Sequence, residues 1–377
     1  MVIWSSALKF LIALKVKPWD PLLLIACLLF LDPSAPAGGS SMPALIWVVF
    51  EMIFCSASNR ILLWSLGALL LTGWQSIIQY PESVLDFWDI LLLIVSVVTI
   101  SSLRRDRFLR LQLMLLLALP VGAWLVWIHP VPPENMRAFL SGMLVTLSLA
   151  HAAYMFNIRL KILLVVFAFA GLWMGYGYDS VASIVFPLIS FFLGFAASRP
   201  RRQWLKILLA SLVSLGFGLM GFVVYSILNP NWAHSQYLSN LGRVQIWWCH
   251  LHSAFSSLHQ FLYGVGFDNT IALCRQPTAA GILPHAHSFP LQVMSGSGAL
   301  GLLGVAAFLC LFLLSPLKNW SLFDRRLKVI SISGLSYFLM QCSIDISVFV
   351  NPVTIILSGF LIAAPMVFSG QSENYSH

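Results

Sequence analysis

The sequence predicts an all-α polytopic membrane protein, a single transmembrane domain over 1–377 with about twelve transmembrane helices. Three observations lead there. Of its 377 residues 59% are hydrophobic and only 9% charged, with a mean hydropathy of +0.88, whereas soluble domains carry about 25% charged residues. The apolar residues come in long runs without strand alternation, and each helical crossing of the hydrocarbon needs ~20 of them. The basic residues gather beside those runs, on every second side. By its sum, the net charge of +8 would suit nucleic acid; its placement beside apolar runs excludes that partner.

Taken in order, the polar breaks give candidate spans at 20–31, 43–58, 61–79, 87–103, 111–128, 137–156, 161–176, 180–197, 206–228, 289–316, 329–347 and 353–368. The first is short for a crossing. Ahead of it, Trp4 to Leu14 lacks the pattern of a cleaved signal peptide and reads as an amphipathic lead-in along the inner surface. With the N-terminus inside, all of the 21 basic residues except Arg137, Arg243 and Arg275 fall on the inner side, Arg107 among them. That is the bias of cytoplasmic loops. Both termini are then cytoplasmic, and the segment 229–288, between spans nine and ten, faces outward.

The outward arginines run against the bias. Arg137, at a helix start after HPVPPEN, reads as an interfacial anchor. Arg243, inside the long loop, reads as a clamp for phosphate, because a guanidinium can meet it with two hydrogen bonds. Arg275 is open to either reading. The acidic Glu51, Asp89, Asp179 and Asp345 lie in or beside spans and are functional candidates by default; their alternative is a polar contact between helices. Glu51 is the most conspicuous, and Gln341 and Asp345 share a helix face. Cys27, Cys55, Cys310 and Cys342 read as small hydrophobes in apolar spans. Cys249 and Cys274 share the outer loop, where compartment allows a disulfide that spacing alone does not establish.

The outer loop holds six of the nine histidines: His234, His250, His252, His259, His285 and His287. From Leu241 to Leu262 the pattern is that of one helix. Val244, Trp248, Leu251, Phe255, Leu258 and Leu262 form an apolar stripe, Gln245, Cys249, His252, Ser256 and His259 a polar one, and Arg243 and His250 share a third line. Such a helix suits the membrane interface, its apolar face in lipid or against the bundle and its polar face towards a lumen. Gly264 and Gly266 end it and permit positive φ. Beyond the following turns, His287, Leu291, Met294, Gly298 and Gly301 fall at four-three spacing on span ten. That places His287 at the outer mouth, over glycines that allow close approach. The histidine pairs are two apart and no metalloprotease or Cys/His zinc spacing occurs, so no metal is assigned. Imidazole as a general base or a phosphate donor suits the pattern better.

Arg243 with Trp247 and Trp248, Gly264 to Gly266, and HAHSFPLQ…GALGLLG together resemble the O-antigen ligase and O-antigen polymerase superfamily. The resemblance covers 160–310 and is most specific over 243–304. It implies a multi-pass, metal-independent glycosyltransferase of the C-type fold, without cofactor, at the outer face of the bacterial inner membrane. The donor would be a glycan on a polyprenyl diphosphate carrier, and the acceptor a sugar hydroxyl, in the ligases one on the lipid A core. Arg243 takes the position of the family's diphosphate-binding loop arginine and His287 that of its histidine before span ten. The chain departs from the family pattern in three places. Ser288 follows the histidine where relatives often have Asn, no acid lies near Gly296, and YDSVASIVFP (178–187) lacks an arginine that relatives carry. Arg137 or Arg275 would have to stand in for it.

The chemistry expected of such a site is simple. A departing diphosphate needs fixed positive charge in a shielded place, from Arg243 with Arg275 or Arg137. Because the leaving group is already good, a base near the acceptor hydroxyl is the more useful partner: His287, with His285, His252 and His250 in support. The alternatives are a polymerase using the same donor and a lipid-linked glycan transporter or flippase. Transporters commonly show duplicated halves with midplane sites, and no such repeat is visible.

Overall fold

In the computed structural model, the described residues are 17, 20, 41–54, 84–128, 134–177, 181–199, 230–274, 277–278, 281–282, 285–318, 323–344 and 352–369. The lead-in Trp4 to Leu14, spans 61–79 and 206–228, and all of 20–31 except Asp20 lie outside them, as do Asp179, Arg275 and Asp345. Before the outer segment come α1 (Ser41–Phe54), α2 (Val84–Ser101), α3 (Arg105–Ile128), α4 (Glu134–Ala152), α5 (Ile158–Gly177) and α6 (Val181–Ala197). The segment 229–288, expected to face outward, holds α7 (Pro230–Phe255), α8 (Leu258–Tyr263) and α9 (Phe267–Cys274). After it come α10 (Phe289–Lys318), α11 (Arg325–Ile344), α12 (Pro352–Ile362) and α13 (Ala364–Ser369). The remaining regular structure is a hairpin of two short strands pairing Pro277 with Ile282 and Thr278 with Gly281.

Among the described residues, three helices are long and apolar enough to cross a membrane, over Ile158–Tyr176, Phe289–Cys310 and Arg325–Ile344. They mark the chain as a membrane protein. α5 shows what covers the outside of the bundle: Ile162, Val166, Phe169 and Trp173, at four-three-four spacing, are all exposed. An apolar stripe with no protein against it is the face a spanning helix turns to lipid. Its other side packs on α4, which also lies along α6 and α11. There Tyr337 stacks on Phe139 and donates its hydroxyl proton to the Phe139 carbonyl at 2.7 Å. A second part of the core is aromatic, with Phe108 against Phe360 and Phe368, and Trp47 against Phe360.

Two expectations change inside the bundle. The last span, 353–368, bends at Ala363 into α12 and α13, although Ala363 still donates to Gly359 O at 2.9 Å. Arg107 is not a surface cation of an inner loop: it is buried, paired with both Asp20 and Glu51, with its Nη1 2.8 Å from Glu51 Oε2. Lys17 Nζ lies 3.9 Å from Glu51, and Trp47 Nε1 donates to Asp20 at 3.3 Å. Of the two readings open for Glu51, the structure takes the helix-to-helix contact.

The outer segment departs further from the sequence pattern. The helix begins at Pro230, well before Leu241, and breaks at Ser256–Ser257, where Ser257 adopts extended backbone and its hydroxyl accepts from Gln260 N–H as the cap of α8. Span ten is not one face carrying His287 to Gly301. His287 precedes the helix, and Gly298 has φ 71°, ψ −171° inside it. That kink releases carbonyls of the preceding turn, and the glycine turn after α8 takes them. Val265 N–H donates to Ser295 O at 2.8 Å and Gly266 N–H to Gly296 O at 2.9 Å.

Gly264 and Gly298 both have positive φ and both lie against backbone, Gly264 on Gly296 and Gly298 on Leu262 and Tyr263. A methyl group at Gly298 would meet backbone that has nowhere to move, in a conformation that L residues avoid. Gly298→Ala is expected to destabilise the outer segment by roughly 3 kcal/mol. Thermal unfolding of the detergent-solubilised protein checks this, and an unchanged midpoint would count against the interlock.

Candidate functional site

Which face of α7 turns inward decides what the site contains. The apolar stripe is exposed, with Trp248 at 72% and Leu258 at 74%. The polar stripe is exposed as well, at Gln245, His252, Ser256 and His259. The buried face runs through His250 of the third line, with Gly242, Ile246 and Ala254, and is flanked by half-buried Arg243 and Trp247. Periodicity showed where the apolar face was but could not say whether lipid or protein covers it. Here the covered face is one with small residues, which let α7 lie close to α10.

The segment 285–288 is held over that face. Trp247 Nε1 donates to Ala286 O at 2.6 Å, and Ala286 N–H donates to Gln292 Oε1 on the first turn of α10 at 2.9 Å. Clamped from both sides, Ala286 is fully buried, and the histidines on either side of it, His285 and His287, are half-buried. His287 is the one non-glycine residue with positive φ among the described residues, at 48°. Left-handed backbone is uncommon outside glycine, although histidine is among the residues that tolerate it, and such strain gathers at functional sites.

Beneath the clamp, His250 is 1% exposed, and its Nδ1 lies 2.7 Å from Ser295 Oγ. Burial, and then the neighbouring His285, push His250 down to about 4. Burial, and then His287, lower His285. The three imidazoles therefore form one cluster, each close enough to the next to disfavour its charge. Arg243 lies on the same line of α7 as His250, about 10 Å along the axis, with Trp247 between them. A disulfide, Cys249 to Cys274, ties α7 to the end of α9, resolving the pairing that spacing left open.

The structure thus brings together His287, His285, His250 and, one turn from the clamp, Arg243. It does not bring in His252, which is two residues past His250, about 200° around the helix, and exposed. The polar stripe to which His252 belongs is exposed, on a different face of α7 from His250. Arg137 lies at the end of the first turn of α4, whose main neighbours are α5, α6 and α11 and not α7 or α10. Arg275 is outside the described residues; Cys274 before it is the disulfide partner of Cys249.

No family model and no curated protein matches this sequence. Among the described residues no cluster of three His, Cys, Asp or Glu side chains could hold a metal ion.

Two residues of the site went unread in the sequence. Ser295 and Gln292 are polar side chains three apart at the start of a largely apolar helix, Ser295 meeting α7 at His250 and Gln292 the 285–288 segment at Ala286. That pairing was a usable signal: polar groups on a spanning helix next to a histidine-bearing loop are candidates for holding it.

Proposed function

We propose that the protein is a polytopic glycosyltransferase of the O-antigen ligase type. It moves a glycan from a polyprenyl diphosphate carrier to a sugar hydroxyl, on a lipid A core or a similar surface glycan, at the outer face of the bacterial inner membrane. The reading takes the chain as twelve spans with both termini cytoplasmic and the 229–288 segment outside. The observation that carries it is the Trp247–Ala286 hydrogen bond, which lays His285 and His287 over the α7 face bearing Arg243 and His250. A cation and a group of imidazoles then share one sheltered place, the pairing that departure of a diphosphate and activation of a hydroxyl require. The disulfide on this segment agrees with an oxidising, extracytoplasmic compartment.

In the proposed mechanism the Arg243 guanidinium forms paired hydrogen bonds to the diphosphate and neutralises the charge that grows on it. His287 accepts the proton of the attacking hydroxyl. The new bond forms on the side of the anomeric carbon opposite the leaving oxygen, so configuration inverts. Arg275 and Arg137 remain candidates for a second contact to the diphosphate, Arg137 the weaker because of the company its helix keeps. No metal or cofactor enters the scheme.

The wild-type protein, reconstituted in liposomes with a polyprenyl-diphosphate oligosaccharide and a glycan acceptor, is expected to extend the acceptor and release carrier diphosphate. Movement of the carrier across the bilayer without any transfer would instead favour a transporter or flippase. A deletion strain separates the ligase from a polymerase using the same donor. Loss of a ligase leaves long carrier-bound chains, whereas loss of a polymerase leaves single repeats on the core.

A further inference from the structure

Away from the outer segment, a polar chain runs through the bundle and ends on a cation. Gln112 of α3 and His151 of α4 are both fully buried. Gln112 Nε2 donates to Phe360 O of α12 at 3.3 Å, which leaves its Oε1 as the acceptor for His151 Nε2 at 3.1 Å. The other ring nitrogen, Nδ1, meets Arg326 Nη2 at 3.5 Å, and a guanidinium can only donate. Every proton is thereby assigned: Arg326 gives to His151, His151 to Gln112 and Gln112 to the Phe360 carbonyl. The chain takes one N–H of Arg326, over a long contact, and aims the group.

What remains on Arg326 is donor capacity, since a guanidinium carries five N–H groups. Among the described residues the His151 contact is the one hydrogen bond it makes, and no carboxylate lies at ion-pair distance from it. Arg107, by contrast, is matched by two acids. Asp324, two residues before Arg326, is already in use. Its Oδ1 caps α11 through Leu327 N–H at 2.8 Å, and its Oδ2 meets Arg105 Nη2 at 2.7 Å. That shared acid brings Arg105 to the same place, with 39% of its side chain exposed. Arg326 is half-buried, not sealed, so both guanidiniums are open at the surface where α11 begins.

Their position says what fits. α11 is long and apolar enough to cross a membrane and Arg326 is its second residue, at the level of lipid headgroups. A guanidinium pairs phosphate oxygens through two parallel hydrogen bonds, and basic pockets at the ends of spanning helices take anionic headgroups in this way. Arg104 and Arg325, next in the chain to the two arginines, are exposed as well. A headgroup whose only charge is its phosphate suits such surroundings; one that also carries an ammonium does not.

We propose that Arg326 and Arg105 form a binding site for a phosphate group where α3 meets the start of α11, filled in the membrane by the headgroup of an anionic phospholipid. The polar chain from Phe360 holds the Arg326 guanidinium in place for it. The site stands apart from the histidine cluster and does not depend on the transferase reading.

The test uses the full-length protein, delipidated in detergent, with phosphatidylglycerol, phosphatidylcholine or inorganic phosphate added back. Native mass spectrometry gives the affinity for the first lipid bound, and thermal melting reports its effect on the fold. Phosphatidylglycerol is expected to raise the melting temperature and to bind at least about tenfold more tightly than phosphatidylcholine. Arg326→Gln, whose amide can still donate to His151, should lose at least about tenfold in affinity for phosphatidylglycerol. Arg326→Lys should lose less, because the charge stays and only the fork goes. Asp324→Asn still caps α11 but frees Arg105 of its counter-charge, and should bind phosphatidylglycerol more tightly. Equal binding of the two lipids, or wild-type affinity in Arg326→Gln, overturns the proposal. Protection by inorganic phosphate equal to that by phosphatidylglycerol overturns the lipid assignment and supports a site for free phosphate. Should Arg326→Gln fail to assemble, the more exposed Arg105→Gln decides: a loss of about threefold is expected, and unchanged affinity overturns the proposal.

Discussion

Replacing His287 with alanine is expected to abolish glycan transfer while leaving the amount of protein in the membrane unchanged. The first half follows from the proposed role. A positioned base contributes about 10²–10⁴-fold, and His287 lies half-buried on the clamped segment, next to the fully buried Ala286. The second half follows from its backbone. At φ 48° a residue with a Cβ is strained, so the wild-type protein tolerates a cost that the fold alone would not ask for. His287→Gly removes that cost and should melt at a higher temperature than His287→Ala, yet be equally inactive. Arg243→Ala should lose about 10²–10³-fold, and the double variant little more than the worse single one, because charge stabilisation and proton removal serve the same step. Transfer assays on membranes matched for protein amount, with melting of the purified variants, separate the two halves. Full activity in His287→Ala would refute its role, whatever the melting temperatures.

The contrast between what the sequence revealed and what it hid has a physical origin. Helix positions in the bundle were legible because lipid demands long apolar runs: the spans read at 87–103, 111–128, 161–176, 180–197 and 289–316 each coincide with a helix. Arg243 and His287 stood out in the sequence by residue type, and the Trp247–Ala286 hydrogen bond is what lays the segment of one over the helix of the other. The inward face of α7 was not legible, because in a membrane an apolar stripe no longer marks the core, and Trp248 and Phe255 follow a perfect helical period while lying exposed. The break at Ser256–Ser257 was hidden because serine is tolerated inside a helix, and only the cap that Ser257 forms with Gln260 shows that it starts a new one. Gly298 looked like one of several glycines allowing close approach. Its actual role, opening α10 so that Ser295 and Gly296 can receive the turn after α8, joins residues about thirty apart, which no local pattern reports.

Arg107→Ala is expected to destabilise the protein by about 3–5 kcal/mol, the cost of leaving a buried ionic group without its counter-charge. Asp20 and Glu51 are both fully buried, and Arg107 meets both, Nε on Asp20, Nη1 on Glu51 and Nη2 shared between them. Without it, Asp20 keeps the Lys17 N–H at 2.8 Å and Trp47 at 3.3 Å, and Glu51 keeps the Lys17 ammonium at 3.9 Å. Two carboxylates would then face each other across the space of the lost guanidinium, each repelling the other. Because the penalty comes from stranded charge and not from lost packing alone, removing the acids should undo it. Asp20→Asn and Glu51→Gln added to Arg107→Met are expected to recover most of the stability, since a neutral set of similar volume avoids the desolvation that the ion cluster had to overcome. Melting of the two variants in one detergent tests this. If Arg107→Ala melts with the wild type, the cluster does not hold α1 to α3. If the neutral triple variant is as unstable as Arg107→Ala, shape rather than charge is what the arginine supplies there.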